Sequence, residues 1–153
     1  MFYFAYGSNM DHNQMLKERC PGAIFVGPAR LTGYWLVFDG YSTHWRGAVA
    51  NILPSRDDEV WGGLFEISES QLKVLDGYEG YPRFYQRRQV NVDLRGRKDK
   101  IQAWVYTREP HPEGAPSHEY IAAVIKGAHD CHLPQDYIRV SFEINLKVPP
   151  AGT

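Results

Sequence analysis

The sequence is poor in the features that would place it at once in one of several large protein classes. It has only two cysteines in 153 residues, and they lie far apart, so we expect free thiols in a cytoplasmic protein and no disulfide framework. It has no apolar run of about 18 to 20 residues and no signal-peptide pattern, which predicts neither a membrane span nor export. The 17 Lys and Arg residues nearly balance the 18 Asp and Glu residues. We therefore expect no nucleic-acid or anionic-membrane partner.

The chain also lacks the common catalytic and cofactor-binding signatures. It contains no Walker loop and no G-x-G-x-x-G, G-x-S-x-G or H-E-x-x-H motif. The nearest approach to a metal-binding cluster is the segment with His129, Cys131 and His132, but no further ligand accompanies it at a defined spacing. We therefore predict no metal site, and we interpret this segment as a solvated helix end.

Aromatic residues, by contrast, are abundant. Tyr, Phe and Trp make up 14% of the chain, and the 10 tyrosines are the largest group. A buried tyrosine needs a hydrogen-bond partner for its hydroxyl. The composition therefore indicates a polar cavity or interface as well as an aromatic core.

The apolar pattern predicts an α+β fold in one domain over residues 1–147, with a loose tail at 148–153. Six or seven strands precede two late helices without regular alternation, which favours a curled, mixed and mostly antiparallel sheet over a doubly wound one. The predicted strands are the β-rich runs Phe2–Tyr6, Ala23–Leu31, Gly33–Phe38, Ala48–Leu53, Val60–Ile67, Val90–Leu94 and Ile101–Val105.

Capping residues and apolar spacing predict four helices. The first covers residues 12–19, and the second starts at a capping box formed by Ser68 and Gln71. We expect Gly77 to end this second helix and residues 78–82 to form a constrained loop. The last two helices begin at Ser117 and at Pro134, and the final one ends near residue 143.

Two segments are candidates for chemistry. The turn Gly7-Ser8-Asn9 follows a strand and precedes a helix start, an arrangement that aims backbone N–H groups into one concavity and suits a carboxylate or an oxyanion. An ordinary turn capped by Ser and Asn remains the alternative. Glu79 stands between tyrosines and glycines, where partial burial would raise its pKa and allow proton transfer near neutrality. Its alternative is a solvated loop carboxylate.

The order of several motifs resembles the γ-glutamylcyclotransferase family. The N-terminal segment is similar to that family's glycine-centred signature, and the segment around Glu79 is similar to the stretch that carries its catalytic glutamate. The similarity runs from about residue 2 to residue 143. The segments that carry it are Tyr3-Phe4-Ala5-Tyr6-Gly7-Ser8-Asn9, Asp58-Glu59-Val60-Trp61-Gly62, Leu75-Asp76-Gly77-Tyr78-Glu79-Gly80, Ala103-Trp104-Val105-Tyr106, Pro116-Ser117-His118-Glu119-Tyr120, Gly127-Ala128 and Leu133-Pro134.

The resemblance implies a small mixed β-barrel flanked by helices, with a polar pocket at one mouth. It also implies a cofactor-independent cleavage of a small γ-glutamyl substrate to 5-oxoproline, and a possible homodimer. Glu79 would be the general acid and base, and residues Tyr3, Phe4, Ala5, Tyr6, Gly7, Ser8 and Asn9 would form the substrate-binding segment. Tyr120 would contact substrate, and Tyr85 and Tyr106 would line the pocket and position Glu79, with core packing as the alternative for these two.

The leaving group stays open at this point. Ser8 and Asn9 favour γ-glutamyl-amino acids, but residues 77–83 differ from the polar loop of the animal enzymes. The alternatives are a γ-glutamylamine-specific or glutathione-specific cyclotransferase, and a non-catalytic module that binds a γ-glutamyl or amino-acid ligand on the same fold.

Overall fold

A five-stranded closed barrel forms the centre of the computed structural model, which describes residues 1–146. The strands follow the order β1-β3-β2-β4-β5 around the barrel, and β1 closes it by pairing in parallel with β5, while the other pairs are antiparallel. The predicted mixed and mostly antiparallel sheet is therefore confirmed. The predicted tail at 148–153 lies outside the described residues. The strands are β1 (Phe2–Ala5), β2 (Ile24–Ser42), β3 (Gly47–Glu66), β4 (Gln86–Leu94) and β5 (Ile101–Thr107).

The strand count differs from the six or seven predicted because β2 and β3 are each one long strand. Gly33 and residues 55–58 have the composition of turns. In the structure they lie opposite each other in the β2–β3 pair, where the register shifts between Thr32 and Tyr34. Gly33 has φ 86°, in the left-handed region that glycine adopts without steric cost. The turn-like residues therefore form a bulge, and β2 and β3 pair on both sides of it.

The helices lie outside the barrel. The short helix predicted at 12–19 is a π-helical segment, Asn13–Arg19, preceded by a 3-10 turn, Ser8–Met10. Three α-helices follow, α1 (Glu69–Glu79), α2 (His118–Asp130) and α3 (Gln135–Ser141), and a 3-10 turn covers Glu143–Leu146. None of the helices in the described part of the chain is long and apolar enough to cross a membrane.

Helix α1 begins at the predicted capping box and ends later than predicted. Ser68 accepts a hydrogen bond from the Gln71 amide, and the Gln71 side chain accepts one from the Ser68 amide. Gly77 continues the helix, and Gly80 ends it with φ 67°, donating its amide to the carbonyls of Asp76 and Gly77. Glu79 is therefore the last residue of helix α1. The prediction that it lies in a loop was wrong.

Helix α2 packs against the turn that follows β1. A side chain at Gly127 would place its Cβ only 2.5 Å from the carbonyl carbon of Met10 and 2.3 Å from the amide of Asp11. This close approach requires glycine, and it fixes the turn at residues 8–10 against the helix that carries Tyr120.

A buried ion pair, together with an asparagine side chain, links β2 and β3 to the end of β5. Asp39 on β2 lies 2.8 Å from Arg108 just after β5, and their side chains are 1% and 2% exposed. Asn51 on β3 donates to the Asp39 carboxylate and accepts from the Arg108 amide. The Arg108 guanidinium also lies over the rings of Phe84 and Tyr85, which border the cavity described below.

We expect Asp39→Asn to lower the free energy of unfolding by about 3 to 5 kcal/mol, because Arg108 would stay charged and buried without its counter-ion. Urea denaturation followed by tryptophan fluorescence measures the change. Asp136→Asn is the control, since Asp136 and Arg139 form an exposed pair at 2.9 Å whose loss should cost less than about 1 kcal/mol. Equal losses at the two positions would contradict a structural role for the buried pair.

Candidate active site

A cavity of about 680 Å³ opens at one end of the barrel, between the turn after β1 and the end of α1. Its wall includes Glu79 and most of the residues predicted to bind substrate. The predicted residues that line it are Tyr3, Tyr6, Gly7, Ser8, Asn9, Tyr85, Tyr106 and Tyr120. Residues far apart in the chain thus meet at one concave, polar surface.

Phe4 and Ala5 do not line this cavity, although the sequence predicted them as part of the substrate-binding segment. Both are buried in the core, at 0% and 1% exposure, and both pair with β3 through their strand. Strand residues alternate between the two faces of a sheet, so Phe4 lies on the face opposite Tyr3. Their contribution is to hold β1 in place, so that the chain leaves the barrel at Tyr6.

Glu79 is held at the cavity wall by a hydrogen bond from Asn9. The Asn9 Nδ2 group donates to Glu79 Oε1 at 3.1 Å and to the Tyr3 hydroxyl at 2.9 Å. Its Oδ1 atom accepts from Gln14 Nε2 and from Arg19 Nη1, both at 2.9 Å. Because both acceptor positions are occupied by donors, the amide orientation is fixed and the NH₂ group faces the carboxylate.

The surroundings of Glu79 disfavour its charged form. Burial raises the pKa of this carboxyl from 4.5 to about 7, while the Arg19 and Arg108 cations and the Asn9 hydrogen bond act in the opposite direction. The side chain is only half-buried by solvent exposure, because one side faces the cavity. A carboxyl in this setting exchanges protons near neutral pH.

The hydroxyl groups of three tyrosines in the cavity wall have hydrogen-bond partners on the barrel backbone. Tyr6 donates to the Tyr106 carbonyl, Tyr85 donates to the Ala50 carbonyl at 2.7 Å, and Tyr120 accepts from the Ala50 amide at 2.8 Å. Burial raises the pKa of the phenols of Tyr6, Tyr85 and Tyr120. They therefore stay protonated, and Tyr120 keeps its own proton free to donate to a ligand.

Tyr106 acts on the helix that carries Glu79. Its hydroxyl donates to Asp76 Oδ1 at 2.8 Å, and Arg87 Nε lies 3.0 Å from the same oxygen. Asp76 precedes Glu79 by one helical turn, and the Arg87 guanidinium stacks on the ring of Trp104. These contacts fasten the last turn of α1 to β4 and β5, and so fix where Glu79 faces.

The turn after β1 lines the cavity and carries backbone donors. Among the described residues, we find no acceptor for the N–H groups of Gly7, Ser8 and Asn9. The first N–H groups of a helical turn have no partner within the turn itself. Gly7 lies against Tyr120, since a Cβ at this position would be 3.1 Å from the hydroxyl oxygen. The turn can therefore receive an anionic group beside a neutral phenol.

The His129–His132 segment has a structural use at the end of α2. The buried thiol of Cys131 donates to the Met10 carbonyl, and Asp130 accepts from the His12 amide and pairs with Lys126. No group of three or more potential metal ligands occurs within residues 1–146. The segment therefore connects α2 to the turn at residues 8–10. It is more than the solvated helix end that the sequence predicted.

Reasoning from the sequence missed the role of several residues at this site. Arg19 lines the cavity, and Asp76, Arg87 and Arg108 support its walls. Of these, only Asp76 belongs to a recognised motif, and its position one turn before Glu79 was the available signal. The arginines are single charged residues in otherwise ordinary segments.

Comparisons with known proteins agree with this geometry. The family model described as "Gamma-glutamyl cyclotransferase, AIG2-like" matches residues 3–123. A gamma-glutamylcyclotransferase of Mus musculus is 34% identical over 140 residues, covering 88% of this chain and 73% of that protein. A gamma-glutamylaminecyclotransferase of Bos taurus is 33% identical over 114 residues, covering 71% and 66%. A solved gamma-glutamyl cyclotransferase structure superimposes with a TM-score of 0.87 at 30% identity, covering 100% of this chain and 90% of that one.

The raised pKa of Glu79 predicts a pH-dependent cost to stability. Between pH 4.5 and about 7 the folded protein keeps a proton that the unfolded chain releases, so this residue's contribution to stability falls as pH rises through that window. Glu79→Gln removes the titration. We expect its stability relative to wild type to increase by roughly 1 to 2 kcal/mol from pH 5 to pH 8, with allowance for water in the cavity.

Urea denaturation of both proteins at the two pH values measures this difference. Glu69→Gln is the control, because Glu69 is an exposed residue in the first turn of the same helix, and its effect should not change in the same way. A Glu79→Gln difference that is constant between pH 5 and pH 8 would show that the carboxyl titrates normally.

Proposed function

The chain belongs to the gamma-glutamyl cyclotransferase, AIG2-like family and is therefore an enzyme of the cyclotransferase type, and we propose that it converts γ-glutamyl-amino acids to 5-oxoproline and the free amino acid. The observation that carries this proposal is the hydrogen-bonded Glu79, whose pKa is raised to about 7 and which faces a polar cavity. One group with this pKa can both accept and return a proton at neutral pH.

The first step is the activation of the substrate's own nucleophile. The α-amine of a γ-glutamyl group is an ammonium at neutral pH, and it cannot attack until it loses a proton. The Glu79 carboxylate removes that proton. The amine then attacks the γ-carbonyl carbon of the same molecule and closes a five-membered ring. Because the reaction is intramolecular, the cavity mainly needs to hold the substrate in a folded conformation.

The second step is the collapse of the tetrahedral intermediate. The ring nitrogen must lose a proton and the leaving nitrogen must gain one before its bond to carbon breaks, and Glu79 can carry the proton between them. Two protons in all pass from the attacking nitrogen to the leaving nitrogen, so none is consumed. The N–H groups of Gly7, Ser8 and Asn9 hold the substrate carboxylate or the developing oxyanion, and Tyr120 contacts the substrate.

Two further predictions concern the compartment and the assembly of the protein. Both cysteines are free thiols and are buried, which is compatible with the cytoplasmic location that we propose. The possible homodimer stays a prediction.

Glu79→Gln should lower kcat with γ-glutamyl-alanine by about 100-fold or more, because the shape of the side chain is kept and the proton carrier is lost. Release of 5-oxoproline, quantified by liquid chromatography, measures the rate. Glu69→Gln serves as the control on the same helix and should retain wild-type turnover. Near-wild-type turnover of Glu79→Gln would contradict this mechanism.

The kcat/KM of the wild-type enzyme should fall about tenfold per pH unit on the acid side of a midpoint near pH 7, because free Glu79 must be ionised to accept a proton. A pH profile between 5 and 9 measures the midpoint. A flat profile across pH 6 to 7, or a midpoint at the ordinary pKa of a glutamate, would contradict the assignment.

The same assay separates the proposal from its alternatives. A panel of γ-glutamyl dipeptides, γ-glutamyl-lysine and glutathione reports which leaving group is processed fastest. No 5-oxoproline from any of them, together with measurable binding of one, would favour a non-catalytic module. A preference for the amine or for glutathione would assign the chain to another branch of the family.

A further inference from the structure

Arg19 is the sole lysine or arginine in the cavity wall formed by the described residues. Resting on the cyclotransferase function above, we propose that its guanidinium binds the carboxylate of the leaving amino acid. The cavity would then select γ-glutamyl-amino acids over γ-glutamylamines, which have no carboxylate on that side. Asn9 and Tyr78 hold the Arg19 guanidinium in place at this subsite.

The guanidinium is positioned but not neutralised. Its Nη1 atom donates to Asn9 Oδ1 at 2.9 Å, and its Cζ atom lies 4.5 Å from the centre of the Tyr78 ring. Within residues 1–146, no carboxylate oxygen lies within 4.0 Å of an Arg19 nitrogen. A guanidinium has five N–H donors, and we find no protein acceptor for the others. A half-buried cation with free donors, held on an aromatic ring, is suited to bidentate binding of a carboxylate.

The Asn9 side chain links Arg19 to the general base Glu79. This side chain accepts from Arg19 and donates to Glu79, so two consecutive hydrogen bonds join the guanidinium to the general base. In a γ-glutamyl-amino acid both the attacking nitrogen and the leaving nitrogen must approach Glu79. Each of these nitrogens is bonded to a carbon that carries a carboxylate. The substrate therefore requires two anion-binding positions close to Glu79, and the cavity offers the turn at residues 7–9 and Arg19.

The two positions differ in depth, and this assigns the halves of the substrate. The turn lies against Tyr120, which is 3% exposed, whereas Arg19 lies on Tyr78, which is 55% exposed. The glutamyl half must fold into a ring and needs the enclosed position. The leaving amino acid is released after the bond breaks and fits the outer position, where Arg19 meets solvent.

The test compares two substrates that differ in this carboxylate alone, γ-glutamyl-alanine and γ-glutamyl-alaninamide. The wild-type enzyme should prefer the acid by about 10- to 100-fold in kcat/KM, the range expected for charge-assisted hydrogen bonds. Arg19→Met should reduce this preference to near unity, and Arg19→Lys should keep part of it. Removing Arg19 also changes the charge near Glu79, but that effect acts on both substrates equally and cancels in the ratio.

Arg95→Met is the matched control. Arg95 also stacks on an aromatic ring, with its Cζ atom 5.4 Å from the centre of Trp61, but it lies outside the cavity. This variant should keep the wild-type preference for the acid. Equal losses for both substrates in Arg19→Met would overturn the proposal, since they would place the guanidinium on the glutamyl half or in a supporting role. Equal rates of the wild-type enzyme with acid and amide would also overturn it.

A binding measurement distinguishes failure of this subsite from failure of the proposed function. Titration calorimetry with the Glu79→Gln protein gives the affinity for each compound without turnover. If the wild-type protein forms no 5-oxoproline while acid and amide still bind with a difference that Arg19→Met removes, the function is wrong and the subsite stands. If 5-oxoproline forms and Arg19→Met leaves the ratio unchanged, the subsite is wrong and the function stands.

Discussion

The carboxylate of Glu79 is kept at the end of a helix and at the wall of a cavity, where its charge is disfavoured. Burial raises its pKa, and the hydrogen bond from Asn9 limits the rise while fixing the direction of the group. A lone solvated carboxylate would be a weak base at neutral pH, and a fully buried one would stay protonated. The account of activity depends on this intermediate setting.

Much of the surrounding structure serves to hold that carboxylate in position. Gly80 ends the helix directly after Glu79, and Asp76 ties the preceding turn to Arg87 and Tyr106. On the opposite side, the tight approach of Gly127 fixes the turn that carries Asn9. The hydroxyls of Tyr6, Tyr85 and Tyr120 hydrogen-bond to the barrel backbone, which holds these polar groups at fixed positions in the cavity wall.

The sequence predicted the features that depend on local patterns and missed those that depend on tertiary contacts. The capping box at Ser68, the starts of the late helices and the mixed sheet were readable from neighbouring residues. The continuity of β2 and β3 was not, because only cross-strand pairing shows that residues 55–58 form a bulge. Gly77 was predicted to end α1, but the helix continues to Glu79 and the hydrogen bonds of Gly80 end it there. Single arginines such as Arg19 carry no local signal.

The protonation of Glu79 can be observed directly by carbon-13 NMR of the side-chain carboxyl groups, with the Glu79→Gln variant identifying the resonance. A titration of the free protein between pH 4 and pH 9 then gives the midpoint without substrate or turnover. The account predicts a midpoint near pH 7. A midpoint near 4.5, the ordinary value for a glutamate, would contradict it.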